Sequence, residues 1–185
     1  MSVIACRVYD DRIDLAADSI RVSGWGSQRT DGKLTKLARV RDVVVGGSGY
    51  AAENGLIQLF LQTHRPSAAD VQSLLTFLGE FGDWKHKRTG CSKVSNAYLF
   101  AFEGRAFATV EYYIEEVHNY YAIGAGEDVA TTALHLGHSP RDAVRVACEL
   151  SVFCEGPIIE ESIPAKPRGP IDVTTLDSAV RLKHP

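Results

Sequence analysis

Ser2 follows an initiator methionine, and this pairing has a chemical use. Cells remove Met1 most readily when the next residue is small. Serine qualifies, and its exposure as the first residue would join a hydroxyl and a free α-amine on one carbon framework. An α-amine titrates at about 7.7–8.0, so part of it is neutral near physiological pH. It can then take the proton of its own hydroxyl, directly or through a water, and make that oxygen a nucleophile. Two more side chains suit such chemistry. Asp18 closes the apolar run Leu15-Ala16-Ala17, and Lys36 lies in the next extended segment, with Lys33 as its rival. A lysine beside a new N-terminus lowers the amine's pKa by like-charge repulsion, and a carboxylate holds that lysine charged and oriented. Gly46-Gly47-Ser48-Gly49 lies between a buried run and a helical one. A glycine N–H at such a junction can point at a developing oxyanion, aided by the helix N-terminus.

The surrounding elements must bring these groups together. Residues 2–9 are β-rich and residues 12–17 alternate, with Asp10-Asp11 between them as a two-residue turn. This puts Asp18 at the same end of a hairpin as Ser2. A short strand is expected near 20–25, broken by Gly24-Trp25-Gly26-Ser27. Residues 33–40 fit either a helix, by the spacing of Leu34, Leu37 and Val40, or a strand. Arg41-Asp42 before Val43-Val44-Val45 favours a second hairpin. Helices follow at 51–63 and 67–81, the second with Ser67 as N-cap. The charged stretch 83–93 reads as a solvated connector, not a binding patch. Strands are expected at 96–102, 105–113 and 119–123. Helices follow at 127–137 and from Ser139-Pro140 onward, then a proline-rich tail with one strand near 171–175. Runs of strands alternating with runs of helices indicate antiparallel α+β layering, not a doubly wound parallel sheet.

Composition narrows the function classes. The chain has 185 residues, of which 45% are hydrophobic and 23% charged, with a formal net charge of -3. That supports one sizeable core and offers no electrostatic reason for a nucleic-acid or anionic-membrane partner. No apolar run reaches the ~20 residues of a membrane span, and the N-terminus does not read as a secretion signal. Cys6, Cys91, Cys148 and Cys154 are scattered, with no C-x-x-C, as expected of reduced thiols in the cytoplasm. His135 and His138 form an H-x-x-H without a carboxylate or Cys at a matching spacing, so no metal is expected there, and the hydroxyl–amine chemistry itself needs no metal or organic cofactor.

Taken together, Ser2, Ala16-Ala17-Asp18, Lys36-Leu37 and Ser48-Gly49-Tyr50-Ala51-Ala52-Glu53 resemble the motifs of the proteasome β-subunit family, HslV-like peptidases included. There an N-terminal threonine is followed by Ala-x-Asp, Lys-apolar and Ala-Gly-Gly-x-Ala-Asp. Ala122-Ile123-Gly124-Ala125-Gly126 resembles the family's Ile-Gly-Ser-Gly. The likeness spans about residues 2–155. It implies a single N-terminal-nucleophile hydrolase domain over 1–185, with 155–185 as an irregular extension. The implied fold is a four-layer αββα sandwich: two antiparallel sheets flanked by helix pairs. It further implies a catalytic set of Ser2, Asp18, Lys36 and Gly49, the last as oxyanion donor, and substrate contacts at Arg21, Val22 and Gly47. A glycine at 47 is expected to leave room for a large substrate side chain. Implied partners are a peptide or polypeptide substrate, further copies of the chain forming a ring, and an ATP-driven unfoldase. Three departures stand out: serine replaces the threonine nucleophile, Ala125 replaces the family serine, and the tail after Glu155 has no counterpart. The first two leave a non-catalytic ring subunit as the alternative, and a small-molecule amidase or acyltransferase is another.

Overall fold

The computed structural model describes residues 2–20, 22–23, 28–29 and 35–166. Its first hairpin joins β1 (Ile4–Val8) to β2 (Arg12–Ala17), with Ala5 opposite Ala16. Two-residue periodicity sorts the side chains of this hairpin between two layers. Ile4, Cys6, Ile13, Leu15 and Ala17 face a second sheet, whereas Val3, Ala5 and Ala16 face helices. A two-stranded ribbon follows, β3 (Val22–Ser23) with β4 (Gln28–Arg29). Next come β5 (Leu37–Val40) and β6 (Val43–Ser48), paired antiparallel around Arg41-Asp42, so the hairpin expectation holds over the helical one.

Helices α1 (Ala51–Leu61) and α2 (Val71–Thr89) come next, then β7 (Ala97–Phe102), β8 (Arg105–Val110), β9 (Tyr113–Glu116) and β10 (Tyr120–Ile123). Helices α3 (Glu127–His135) and α4 (Pro140–Leu150) and strand β11 (Ile159–Pro164) complete the described chain. One sheet has the order β10-β1-β2-β11 and the other β5-β6-β7-β8-β9, all pairings antiparallel.

Residue size decides how these layers stack. On β7 and β8, Tyr98, Phe100, Phe102 and Phe107 point at α1 and α2, where they meet Phe60, Phe77 and Phe81. Leu99, Ala101, Ala106 and Ala108 point the other way, into the space between the sheets. Three of these four are alanines, so the aromatic bulk of both strands lies on the helix side. Each such phenyl ring contributes about 1.5–3 kcal/mol by leaving water. The result is the expected four layers: α1 and α2, the five-stranded sheet, the four-stranded sheet, and then α3 and α4.

Several boundaries differ from expectation. Helix α2 begins after Asp70, whose carboxylate accepts the Ser73 N–H at 2.7 Å, so Asp70 and not Ser67 is the cap. It also continues through 83–89, which had read as a loop. Leu74, Phe77, Leu78, Phe81 and Lys85 share its buried face, and Gly90 ends it in the left-handed region at φ 75°. The basic last turn of His86, Lys87 and Arg88 suits the helix dipole. The expected strand 105–113 is a hairpin, folding back at Glu111-Tyr112 with Val110 paired to Tyr113. At 159–164, expected as loop, β11 adds an edge strand to β2. The strand expected near 171–175 lies outside the described residues. Helix α4 starts as expected, Ser139 capping the Asp142 N–H at 3.1 Å with Pro140 behind it. Among the described residues, no helix is long and apolar enough to cross a membrane.

Candidate active site

Ser2 lies at the start of β1 and is almost fully buried. Its carbonyl accepts the Gly126 N–H at 3.1 Å, which ties the chain start to the turn before α3. The next peptide is held by the β2 end: Val3 N–H donates to Asp18 Oδ1 at 2.9 Å, and Asp18 N–H donates to the Val3 carbonyl at 3.1 Å. Asp18 is 0% exposed and Lys36 only 3%, and Lys36 Nζ donates to the same Oδ1 at 2.8 Å. The other carboxylate oxygen accepts the Glu155 N–H at 3.3 Å. Ser2, Asp18 and Lys36, drawn from three separate strand ends, therefore converge. Burial pulls the Lys36 ammonium below the ordinary lysine value, while Asp18 beside it pushes back up.

Lys36 is fixed through its backbone as well, its carbonyl accepting the Gly47 N–H at 2.9 Å. The Gly124–Gly126 turn packs against the chain start. Gly124 sits at φ 102°, and a Cβ there would strike the Ser2 carbonyl oxygen and come within 2.8 Å of Ser48 Oγ. At Gly126 a Cβ would meet Cys154 Sγ at 2.6 Å. Burial, with Asp18 nearby, raises the Cys154 thiol above its ordinary value.

The remaining sequence candidates are placed as follows. Gly49 directly follows Ser48 at the α1 entrance, at φ 137°, a conformation that favours glycine. Gly47 does not open a space: a Cβ there would run into the Asn54 carboxamide and lie 2.8 Å from Tyr98 Cε1. The chain's own side chains take the room expected for a substrate group. Val22 belongs to β3, and its side chain, like Arg21 and Lys33, lies outside the described residues. Among the described residues no group of three or more His, Cys, Asp and Glu could hold a metal ion.

Sequence reading missed a second buried polar group behind Gly49. Lys85 Nζ donates to Glu53 Oε2 at 2.6 Å, and Glu53 Oε1 accepts the N–H groups of Ser95 at 2.9 Å and Asn96 at 2.8 Å. The available signal was Glu53-Asn54 in the first turn of a mostly apolar helix. Burial pushes the Glu53 carboxyl up, but Lys85 and the two N–H groups outweigh it and leave it below its ordinary 4.5. A carboxylate depressed in this way contributes stability that is present above pH 4.5 and lost as pH falls through its folded-state value. Glu53→Gln should therefore flatten the dependence of unfolding temperature on pH between about pH 6 and about pH 3. Parallel curves for the variant and the parent would refute this assignment.

No protein-family profile and no curated protein matches the sequence. Solved structures do. Thiobacillus denitrificans BPH superposes with TM-score 0.76 at 19% identity, over 90% of this chain and 100% of that one. A structure of it in complex with epoxomicin matches equally well. HslV from Trypanosoma brucei matches with TM-score 0.66 at 19% identity, over 88% of this chain and 99% of that one. Anbu, an ancestral β-subunit from Yersinia bercovieri, matches with TM-score 0.67 at 16% identity, over 88% and 81%. On this layering, strand order and likeness, the chain has the fold of the proteasome-β-like N-terminal-nucleophile hydrolases.

Proposed function

We propose that the chain hydrolyses peptide or related amide bonds, with Ser2 as nucleophile after removal of Met1. One observation carries this reading: a buried Asp18 oxygen receives both the Lys36 ammonium and the N–H of the residue next to Ser2. An ammonium–carboxylate pair at the chain start costs desolvation and needs a use. Its use is to hold a positive charge beside the new α-amine and keep part of that amine neutral.

In the reaction, Ser2 Oγ forms a bond to the scissile carbonyl carbon, and its proton moves to the α-amine. The carbonyl π pair becomes an oxyanion, held by the Gly49 N–H at the head of α1. When the tetrahedral species collapses, the C–N bond breaks and the α-ammonium gives its proton to the departing amine. Water then attacks the ester with the amine again as base, releasing the acid and restoring Ser2. Arg21 and Val22 would run beside the substrate. The wider form of this proposal is self-association into rings in the cytoplasm, with peptide or polypeptide substrates and an ATP-driven unfoldase partner; the fold likeness to HslV and Anbu is in keeping with it.

The test is to block the amine while keeping the hydroxyl. A variant with uncleavable residues ahead of Ser2 should fold like the parent carrying a C-terminal tag, yet lose turnover of a fluorogenic peptide amide. Undiminished turnover by the extended protein would rule out N-terminal chemistry. Lys36→Ala should lose turnover as well; loss in Lys33→Ala alone would assign the lysine role to Lys33. A second reading has one observation in its favour: Ala125 offers no hydroxyl where the family has serine. A ring subunit without catalysis would assemble normally and show the same background turnover before and after Met1 removal.

A further inference from the structure

The buried polar group behind Gly49 has a geometry that suits one task. Asn96 is 1% exposed and grips the Tyr50 residue from both sides. Its Oδ1 accepts the Tyr50 N–H at 2.6 Å, and its Nδ2 donates to the Tyr50 carbonyl at 2.9 Å. The second Nδ2 hydrogen goes to Asn54 Oδ1 at 2.8 Å, and Asn54 Nδ2 in turn donates to the Gly47 carbonyl at 2.8 Å. The backbone on either side of Gly49 is thus held at three polar atoms by two carboxamides. Gly49 itself lies directly on Asn96: a Cβ would collide with Oδ1 and come within 3.3 Å of the Asn96 Cα. Asn96 is in turn anchored by Glu53, which accepts its backbone N–H and is paired with Lys85; Lys85 also donates to the Lys93 carbonyl.

We infer that Asn96 is a positioning residue for the oxyanion: by clamping the Tyr50 N–H and carbonyl, it sets the direction of the Gly49 N–H, and the Glu53–Lys85 pair holds the clamp rigid. The consequence for catalysis rests on the amide-hydrolase reading above, whereas the clamp itself does not. A preorganised donor matters most when charge sits on the oxygen, and much less for binding the uncharged ground state. The inference therefore separates two ligands that differ only at the reacting carbon. The tripeptide aldehyde leucyl-leucyl-leucinal can accept Ser2 Oγ at its carbonyl carbon, the π pair moving to oxygen and the hydroxyl proton to the α-amine. The alcohol leucyl-leucyl-leucinol makes the same side-chain contacts without that step.

Asn96→Ala should weaken the aldehyde by about 10²-fold and the alcohol by less than about 3-fold, with kcat reduced and KM nearly unchanged. Asn96→Ser, smaller in its disturbance, should show the same ratio to a lesser degree, and it serves if Asn96→Ala does not fold. Because the ratio is taken within one folded protein, a general loss of stability cancels. Hydrogen exchange at the Tyr50 amide should also speed up in both variants, whatever the enzyme does. Equal weakening of aldehyde and alcohol would overturn the positioning role, and unchanged Tyr50 exchange would overturn the clamp. If the parent protein forms an aldehyde adduct and Asn96→Ala forms it as tightly, this inference alone fails. If the folded, Met1-free parent forms no adduct at all, the hydrolase reading and this inference fall together.

Discussion

Ser2→Ala should abolish amide turnover, lowering kcat by on the order of 10⁴–10⁶-fold, while leaving the protein folded. The large number follows from what is removed. The α-amine remains, and so do Lys36, Asp18 and the Gly49 N–H, yet no oxygen is left for the amine to deprotonate, and the covalent intermediate cannot form. The small structural effect follows from two bonds at the chain start that do not use the Ser2 side chain. The Ser2 carbonyl accepts from Gly126, and Val3 N–H donates to Asp18. Alanine keeps both, and it fits a site where Ser2 is 3% exposed. Ser2→Cys, which keeps an attacking atom, should retain more activity than Ser2→Ala. Turnover by Ser2→Ala at even a tenth of the parental rate would remove the nucleophile from the account.

Asp18→Ala should give the largest loss of stability, because it leaves the buried Lys36 ammonium without its carboxylate. Breaking a buried pair from one side costs about 3–5 kcal/mol. In a chain of this size that lowers the unfolding temperature by roughly 6–20 °C. The Val3 and Glu155 N–H groups lose their acceptor in the same step, which adds to the cost. Replacing both partners separates stability from chemistry. Asp18→Ala combined with Lys36→Met removes the buried Lys36 charge as well and should recover part of the stability. It should recover none of the activity, since the Lys36 ammonium that tunes the amine is gone. A double variant no more stable than Asp18→Ala would mean that the pair is not coupled as its 2.8 Å separation indicates.

Much of this arrangement is legible in the residues, and the reasons are physical. Strand alternation in 2–17 and the Asp10-Asp11 turn define a hairpin register, and that register puts Asp18 next to Val3. The layering follows from runs of strand and helix patterns, and Ser139-Pro140 marks the start of a helix by capping chemistry. Three features were hidden for identifiable reasons. Lys85 looked like part of a solvated charge run, although it completes the buried face of α2 one turn after Phe81. Strand β11 carries Glu160, Glu161 and Pro164, and an edge strand with charged residues lacks the apolar signature of an interior one. Asn54 on α1 and Asn96, just before β7, act through contacts between residues some forty positions apart, which no local periodicity reports. Gly47 shows the limit of reading one position alone. A missing side chain makes space only if nothing else enters it, and here Asn54 and Tyr98 do.

The central claim is that one residue supplies both the attacking oxygen and the base that activates it. A peptide epoxyketone tests both parts at once, because its adduct needs two bonds from the same residue. The hydroxyl oxygen attacks the ketone carbon, and the α-nitrogen opens the epoxide to close a six-membered ring. Digestion after labelling, followed by fragmentation of the peptide spanning residues 2–7, should find Met1 gone and the probe on Ser2 through both atoms, with none on Cys6 of the same peptide. A protein that keeps Met1 when purified, or a Met1-free protein whose Ser2 stays unmodified under saturating probe, would contradict the account.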